Sequence, residues 1–255
     1  MESKASRRKV ALITGGSRGI GAATALLAAA QGWDVLISYQ SQQAAAEAVV
    51  AQARALGANA HAVQADVGEE AQVLKLFGAL DERFDSLDAL VNNAGVVDVA
   101  QTVAEYSLQR LERMFRVNTV GAFVCAREAV LRMSIRRGGR GGAIVNVSSI
   151  AARLGAPGQY VDYAASKGAV DVLTLGLAKE VAAEGIRVNA VRPGLIETDI
   201  HASGGQPDRV QRLAPNIPMQ RGGTAQEVAD AIVWLMGDGS HYTTGSLIEI
   251  SGGNL

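Results

Sequence analysis

The apolar run Val10-Ala11-Leu12-Ile13 is followed at once by Thr14-Gly15-Gly16-Ser17-Arg18-Gly19-Ile20-Gly21 and then by a long alanine-rich stretch. Local physics reads this as a buried strand, a glycine turn and a helix. The glycines supply a tight turn, an approach of bare backbone to a ligand, and close packing of helix on strand. The first N–H groups of such a helix have no intrahelical partner, so the turn suits the pyrophosphate of a dinucleotide. Glycine turns also occur wherever a crossover is merely tight, so the turn gains its meaning from the rest of the chain.

The alternation continues to the end of the chain. Short β-rich runs at 9–14, 34–39, 59–64, 88–92, 143–148, 186–191 and 246–250 are separated by longer helical patterns, among them 108–133 and 163–184. Strands separated by helices require right-handed crossovers and a parallel sheet with helices on both faces. The expected fold is α/β: a single doubly wound Rossmann domain of about seven strands over 9–255, behind a flexible tail of residues 1–8. A chain of 255 residues, 48% of them apolar, can bury one large core of this kind. Two stretches break the pattern. Arg136-Arg137-Gly138-Gly139-Arg140-Gly141-Gly142 is expected to be a solvated loop. Residues 194–218 follow the sixth strand at the edge where α/β sheets bind ligands, and are expected to form a lid.

The net charge of −1, with signs interspersed, points to neither nucleic acid nor a membrane surface as partner. No run approaches the ~18 apolar residues of a membrane span, and the first residues lack the pattern of a signal peptide. The single cysteine, Cys125, is flanked by Phe123, Val124 and Ala126 and is expected to be a buried helical residue. A cytoplasmic protein without a metal site is the expectation.

Three further motifs carry chemistry. Tyr163-Ala164-Ala165-Ser166-Lys167 places a phenol and an ammonium four residues apart on one helix face. A positive charge about 4 Å away at an effective dielectric of ~20 contributes up to about 4 kcal/mol, enough to bring a phenol into working range as an acid or base. Asn146-Val147-Ser148-Ser149 closes the fifth strand, where a serine can hold a carbonyl oxygen. Val91-Asn92-Asn93-Ala94-Gly95 closes the fourth, where small residues let a cofactor lie against the sheet edge.

These motifs, with Asp66-Val67, Asn118 and Pro193-Gly194, resemble the short-chain dehydrogenase/reductase family from the first strand to the C-terminus, in its 3-oxoacyl reductase and glucose dehydrogenase-like branch. The resemblance implies a catalytic tetrad. Tyr163 is the proton donor or acceptor, Lys167 lowers its pKa and holds the nicotinamide ribose, Ser149 orients the substrate oxygen, and Asn118 holds a relay water. Ser149 is chosen over Ser148 because the family's serine is typically the second of such a pair, and its longer separation from Tyr163 implies a small insertion. For the cofactor, the resemblance implies contacts from Gly15, Ser17, Arg18, Gly19, Ile20 and Gly21 at the phosphate turn. It adds Asp66 and Val67 at the adenine, Asn93, Ala94 and Gly95 at the ribose, and Pro193, Gly194, Ile196 and Thr198 at the carboxamide and pyrophosphate.

The implied activity is hydride transfer between nicotinamide C4 and a carbonyl or secondary alcohol on a small-molecule substrate, by a homotetramer. A carrier-bound 3-oxoacyl substrate ranks lower, because Glu184 lies where a basic docking residue is needed. A cofactor-binding sensor without turnover is the alternative. The second strand ends Ser38-Tyr39-Gln40-Ser41 with no acid to accept from a ribose 2′-hydroxyl, and Arg18 stands where a 2′-phosphate is contacted. Tyr39 and Gln40 therefore border an NADP(H) site, with NAD(H) the second choice. His201 has no role in this chemistry, Trp33 and Trp234 are expected to pack, and Gln159, Val161 and Leu195 are candidates to line the substrate pocket.

Overall fold

All four residues of strand β1 (Val10–Ile13) are buried, and alternate side chains feed two different cores, as the period of a strand requires. In this computed structural model, which describes residues 7–254, β1 lies near the middle of a seven-stranded parallel sheet. The other strands are β2 (Asp34–Tyr39), β3 (Ala60–Gln64), β4 (Ala89–Asn92), β5 (Gly142–Val147), β6 (Ile186–Pro193) and β7 (Leu247–Ile250), in the spatial order β3-β2-β1-β4-β5-β6-β7. The fold is the expected single Rossmann domain, with strand ends displaced by a residue or two.

On one face Ala11, Ile13, Val35 and Ile37 pack against α1 (Gly19–Ala30), α2 (Gln43–Ala55) and α10 (Ala225–Met236). On the other, Leu12, Leu36, Leu90 and Ile144 pack against α3 (Glu70–Asp81), α5 (Gly121–Met133) and α7 (Val161–Val181). Each fully buried leucine or isoleucine contributes about 1.5–3 kcal/mol. Cys125 is buried in α5.

The stretch 108–133 is not one regular helix. α4 (Leu108–Phe115) runs into a π turn (Arg116–Val120) before α5 begins. The segment after β5 forms the short α6 (Ala151–Leu154), and the one after β6 forms α8 (Ile200–Ser203) and α9 (Arg209–Leu213). Of the expected tail, residues 1–6 lie outside the described residues; Arg7 and Arg8 are tied down by Asp88 at 2.5 Å and Asp34 at 2.8 Å. The glycine and arginine stretch after α5 is partly anchored, with Arg136 paired to Glu184 at 3.5 Å. Trp33 is buried, whereas Trp234 sits on the outer face of α10, 45% exposed. No described helix is long and apolar enough to cross a membrane.

Candidate active site

β1 and β4 are neighbours whose onward connections run in opposite directions, so a crevice opens beyond their carboxyl ends. A cavity of about 520 Å³ occupies it, a size proper to a small-molecule site. Thr14 is buried beneath the turns that line it. The Thr14 Oγ1 accepts from the backbone N–H groups of Asn93 and Ala94, both at 3.0 Å, and the Asn93 amide donates to the carbonyls of Thr14 at 2.9 Å and Gly15 at 3.0 Å. The glycine turn and the 92–95 turn are thereby locked together.

The two turns approach this closely because Gly15 lacks a side chain. A Cβ on Gly15, whose φ is +65°, would lie 3.0 Å from Ala94 Cα. α1 begins with no side-chain cap and no acid in its first turn, leaving its free N–H groups to an anion. Ser17, Arg18, Gly19 and Ile20 line the cavity. Gly21 does not; it is buried, and a Cβ there would collide with the Gly15 carbonyl, so its part is packing rather than ligand contact.

At one end of the cleft Tyr39, Gln40, Asp66 and Val67 line the wall. Gln40 Nε2 donates to Asp66 Oδ2 at 2.7 Å, and residues 39–42 carry no carboxylate. Arg18 reaches Asp199 at 3.8 Å across the mouth. Asn93, Ala94 and Gly95 line the middle, and Pro193, Gly194, Ile196 and Thr198 the facing side. These residues fit a dinucleotide: an uncapped helix start for the pyrophosphate, and a β2 end with no carboxylate in residues 39–42, near an Arg18 that is paired with Asp199.

The chemical groups gather on α7 and at the end of β5. Ser148 Oγ donates to the Lys167 carbonyl at 3.2 Å and is spent on structure. Ser149 Oγ accepts from Ala151 N at 3.1 Å and faces Tyr163, pulling the phenol pKa down against burial, which is stronger and pushes it up. Lys167 is 4% exposed; its Nζ donates to the Val147 carbonyl at 2.8 Å and lies 5.8 Å from the centroid of the Tyr163 ring. Burial brings its pKa down to about 8, opposed by Asp171 one turn further along α7. Burial is the stronger influence on the Tyr163 phenol, and the Lys167 ammonium beside its ring is bonded to the strand end.

Asn118 stands in the π turn, where the irregular helix aims it inward, a common device at functional sites. Its Nδ2 donates to the Val96 carbonyl at 2.9 Å and to Ser166 Oγ at 3.1 Å, and its Oδ1 accepts from Val96 N at 2.8 Å. These bonds clamp the 95–97 segment beside Lys167. α5 can follow this closely because it starts with a glycine: a Cβ on Gly121 would lie 2.7 Å from the Val67 carbonyl oxygen.

The remainder of the cavity is lined by α6, Tyr160, Leu195 and residues of the 194–218 segment, including His201, Arg209, Leu213 and Ile217. His201 Nε2 bonds to the Ile196 carbonyl at 2.9 Å, and burial holds its pKa below the usual value. Of the three candidate pocket residues only Leu195 lines the cavity. Gln159 instead holds Arg209 at 2.5 Å, and the Val161 N–H donates to the Tyr106 hydroxyl at 3.1 Å. One feature escapes the sequence reading: Arg110 Nε donates to Asp162 Oδ2 at 2.7 Å, an ion pair buried on both sides directly before Tyr163. Its only sequence signal is an arginine four residues before the buried Met114 on α4.

A sequence profile described as Enoyl-(Acyl carrier protein) reductase matches residues 15–254. The chain is 56% identical over 244 residues to the uncharacterized oxidoreductase YgfF of Escherichia coli, covering 96% of this chain and 99% of that one. It is 37% identical over 245 residues to a 3-oxoacyl-(acyl-carrier-protein) reductase of Staphylococcus aureus, covering 96% and 97%. Among solved structures, a short chain dehydrogenase from Burkholderia cenocepacia in complex with NADP superposes with a TM-score of 0.87 at 35% identity, covering 96% of this chain and 97% of that one.

Proposed function

The chain belongs to the short-chain dehydrogenase/reductase family of NAD(P)-dependent oxidoreductases, and from that premise we propose that it is an NADP-dependent enzyme interconverting a ketone or aldehyde with its alcohol, working as a reductase. The observation that carries this reading is the meeting of the Ser149 hydroxyl, the Tyr163 phenol and the Lys167 ammonium on the wall of one cavity that also contains the uncapped glycine turn.

The cofactor supplies a hydride at nicotinamide C4. Ser149 donates a hydrogen bond to the substrate carbonyl oxygen and fixes it against Tyr163. Tyr163 gives that oxygen its proton. Burial keeps the phenol protonated through the neutral range, which suits an acid in the reductive direction. Lys167 supplies the positive field that stabilises the phenolate as the proton leaves, and Asn118 keeps the neighbouring backbone in place. Arg18 and the acid-free end of β2 support NADP over NAD, as does the NADP bound to the Burkholderia relative. A cytoplasmic homotetramer is the assembly and compartment we assign; the apolar side chains exposed on α4, α5 and α7 support association between chains.

NADPH absorbance followed against a panel of aldehydes, ketones, 3-oxoacyl thioesters and sugars tests the reading. Tyr163→Phe is expected to bind NADPH normally and to lose about 10²–10⁴ in kcat; full activity in that variant would overturn the assignment. Gln40→Asp, which sets a second carboxylate beside Asp66, is expected to lower the NADPH/NADH ratio of kcat/KM by at least about tenfold. An unchanged ratio would count against the NADP assignment.

A further inference from the structure

The end of the cavity beyond Tyr163 holds a charge that carbonyl reduction does not use. Arg209, the first residue of α9, lines the cavity and is half-buried. Its Nη1 donates to Gln159 Oε1 at 2.5 Å, and its guanidinium lies over the Tyr160 ring, 5.1 Å from the centroid. No carboxylate among the described residues pairs with it; Asp208, its neighbour in sequence, is 3.8 Å from Arg212. The two carboxylates of the cavity wall, Asp66 and Asp199, are engaged at the dinucleotide end with Gln40 and Arg18. The cavity lining also includes Leu154, Leu213, Asn216, Ile217 and a His201 held toward its neutral form.

A guanidinium has five donors in a planar fork and binds a carboxylate through two of them. Here one neutral amide and one aromatic face hold it in orientation and leave its charge uncompensated. Tyr160 is the N-cap of α7, three residues before Tyr163, and Arg209, Tyr160 and Tyr163 all line the same cavity. Resting on the reductase reading above, we propose that Arg209 is a substrate-anion site. The substrate is then a carbonyl compound with a carboxylate at the other end of a short apolar body, rather than a neutral carbonyl or a carrier-bound thioester. The single charge of the Arg209 guanidinium, presented through two N–H donors, matches a carboxylate better than a phosphate.

The test uses matched pairs with the full chain. In NADPH-dependent reduction, the wild type is expected to favour 4-carboxybenzaldehyde over methyl 4-formylbenzoate by about 10- to 100-fold in kcat/KM. The ratio falls to near one in Arg209→Gln and is largely restored in Arg209→Lys. Calorimetric binding of 4-(hydroxymethyl)benzoate and its methyl ester to the protein–NADPH complex, in which neither partner can accept a hydride from the other, should show the same ratios without turnover. Equal treatment of acid and ester by the wild type, or a preference that survives Arg209→Gln, overturns the proposal. Arg209-dependent carboxylate binding in a protein that reduces neither aldehyde sustains the anion site while overturning the reductase reading.

Discussion

Lys167 carries its charge where charge is costly. Its folded-state pKa of about 8 lies below the ordinary 10.5 because burial outweighs the pull of Asp171. Between those values the unfolded chain holds a proton that the folded chain has shed, so stability rises with pH from about 8 to 10.5, and below pH 8 the full cost of the buried ammonium is borne. That difference corresponds to about 3 kcal/mol, against about 1 kcal/mol for the Nζ hydrogen bond to Val147. Lys167→Met is therefore expected to be about 1–2 kcal/mol more stable than wild type at pH 7, to lose most of that gain by pH 10.5, and to be inactive. Denaturant midpoints at the two pH values measure it; a variant less stable than wild type at pH 7 would refute the cost. The sequence shows Tyr163 and Lys167 as a pair by their spacing alone. It does not show that the ammonium bonds to Val147 or that burial raises the phenol, because both depend on where β5 ends relative to α7.

At the scale of elements, the buried Arg110–Asp162 pair joins α4 to the first turn of α7. Arg110 also donates to the Val99 carbonyl at 2.6 Å and to Gln101 Oε1 at 2.7 Å, so it gathers the 99–101 segment as well. Arg110→Met leaves Asp162 buried without a partner and is expected to cost about 3–5 kcal/mol, whereas the double variant with Asp162→Leu recovers most of that loss. A thermal or denaturant double-mutant cycle reads it, and additive losses would mean that the two side chains act independently. The strands were legible because central parallel strands buried on both faces leave continuous apolar runs such as Ala143-Ile144-Val145. The structure of 194–218 was not. α8 and α9 are only four and five residues long, and contacts from Gln206 to Tyr160 and from Arg209 to Gln159 hold the segment, beyond the reach of local propensity.

For the whole molecule, the outward faces of α4, α5 and α7 expose Leu108, Phe123, Val172 and Leu175, the first and third by about 70% of their surface. On the homotetramer reading proposed above, these side chains belong to the subunit contact. Light scattering is expected to return about four times the 26.5 kDa of one chain, and Phe123→Glu with Val172→Glu to lower it; an unchanged mass would place the subunit contact elsewhere. The irregular turn between α4 and α5 adds a constraint of a different kind. The wide turn holds one residue more than an α turn, so removing one residue from Arg116–Val120 would let the two helices run on as one and leave the direction of α5 nearly unchanged. Asn118 would lose the position from which it clamps Val96, while Phe123 would keep its outward face. The loss of a residue there would reach the cleft and spare the outer surface.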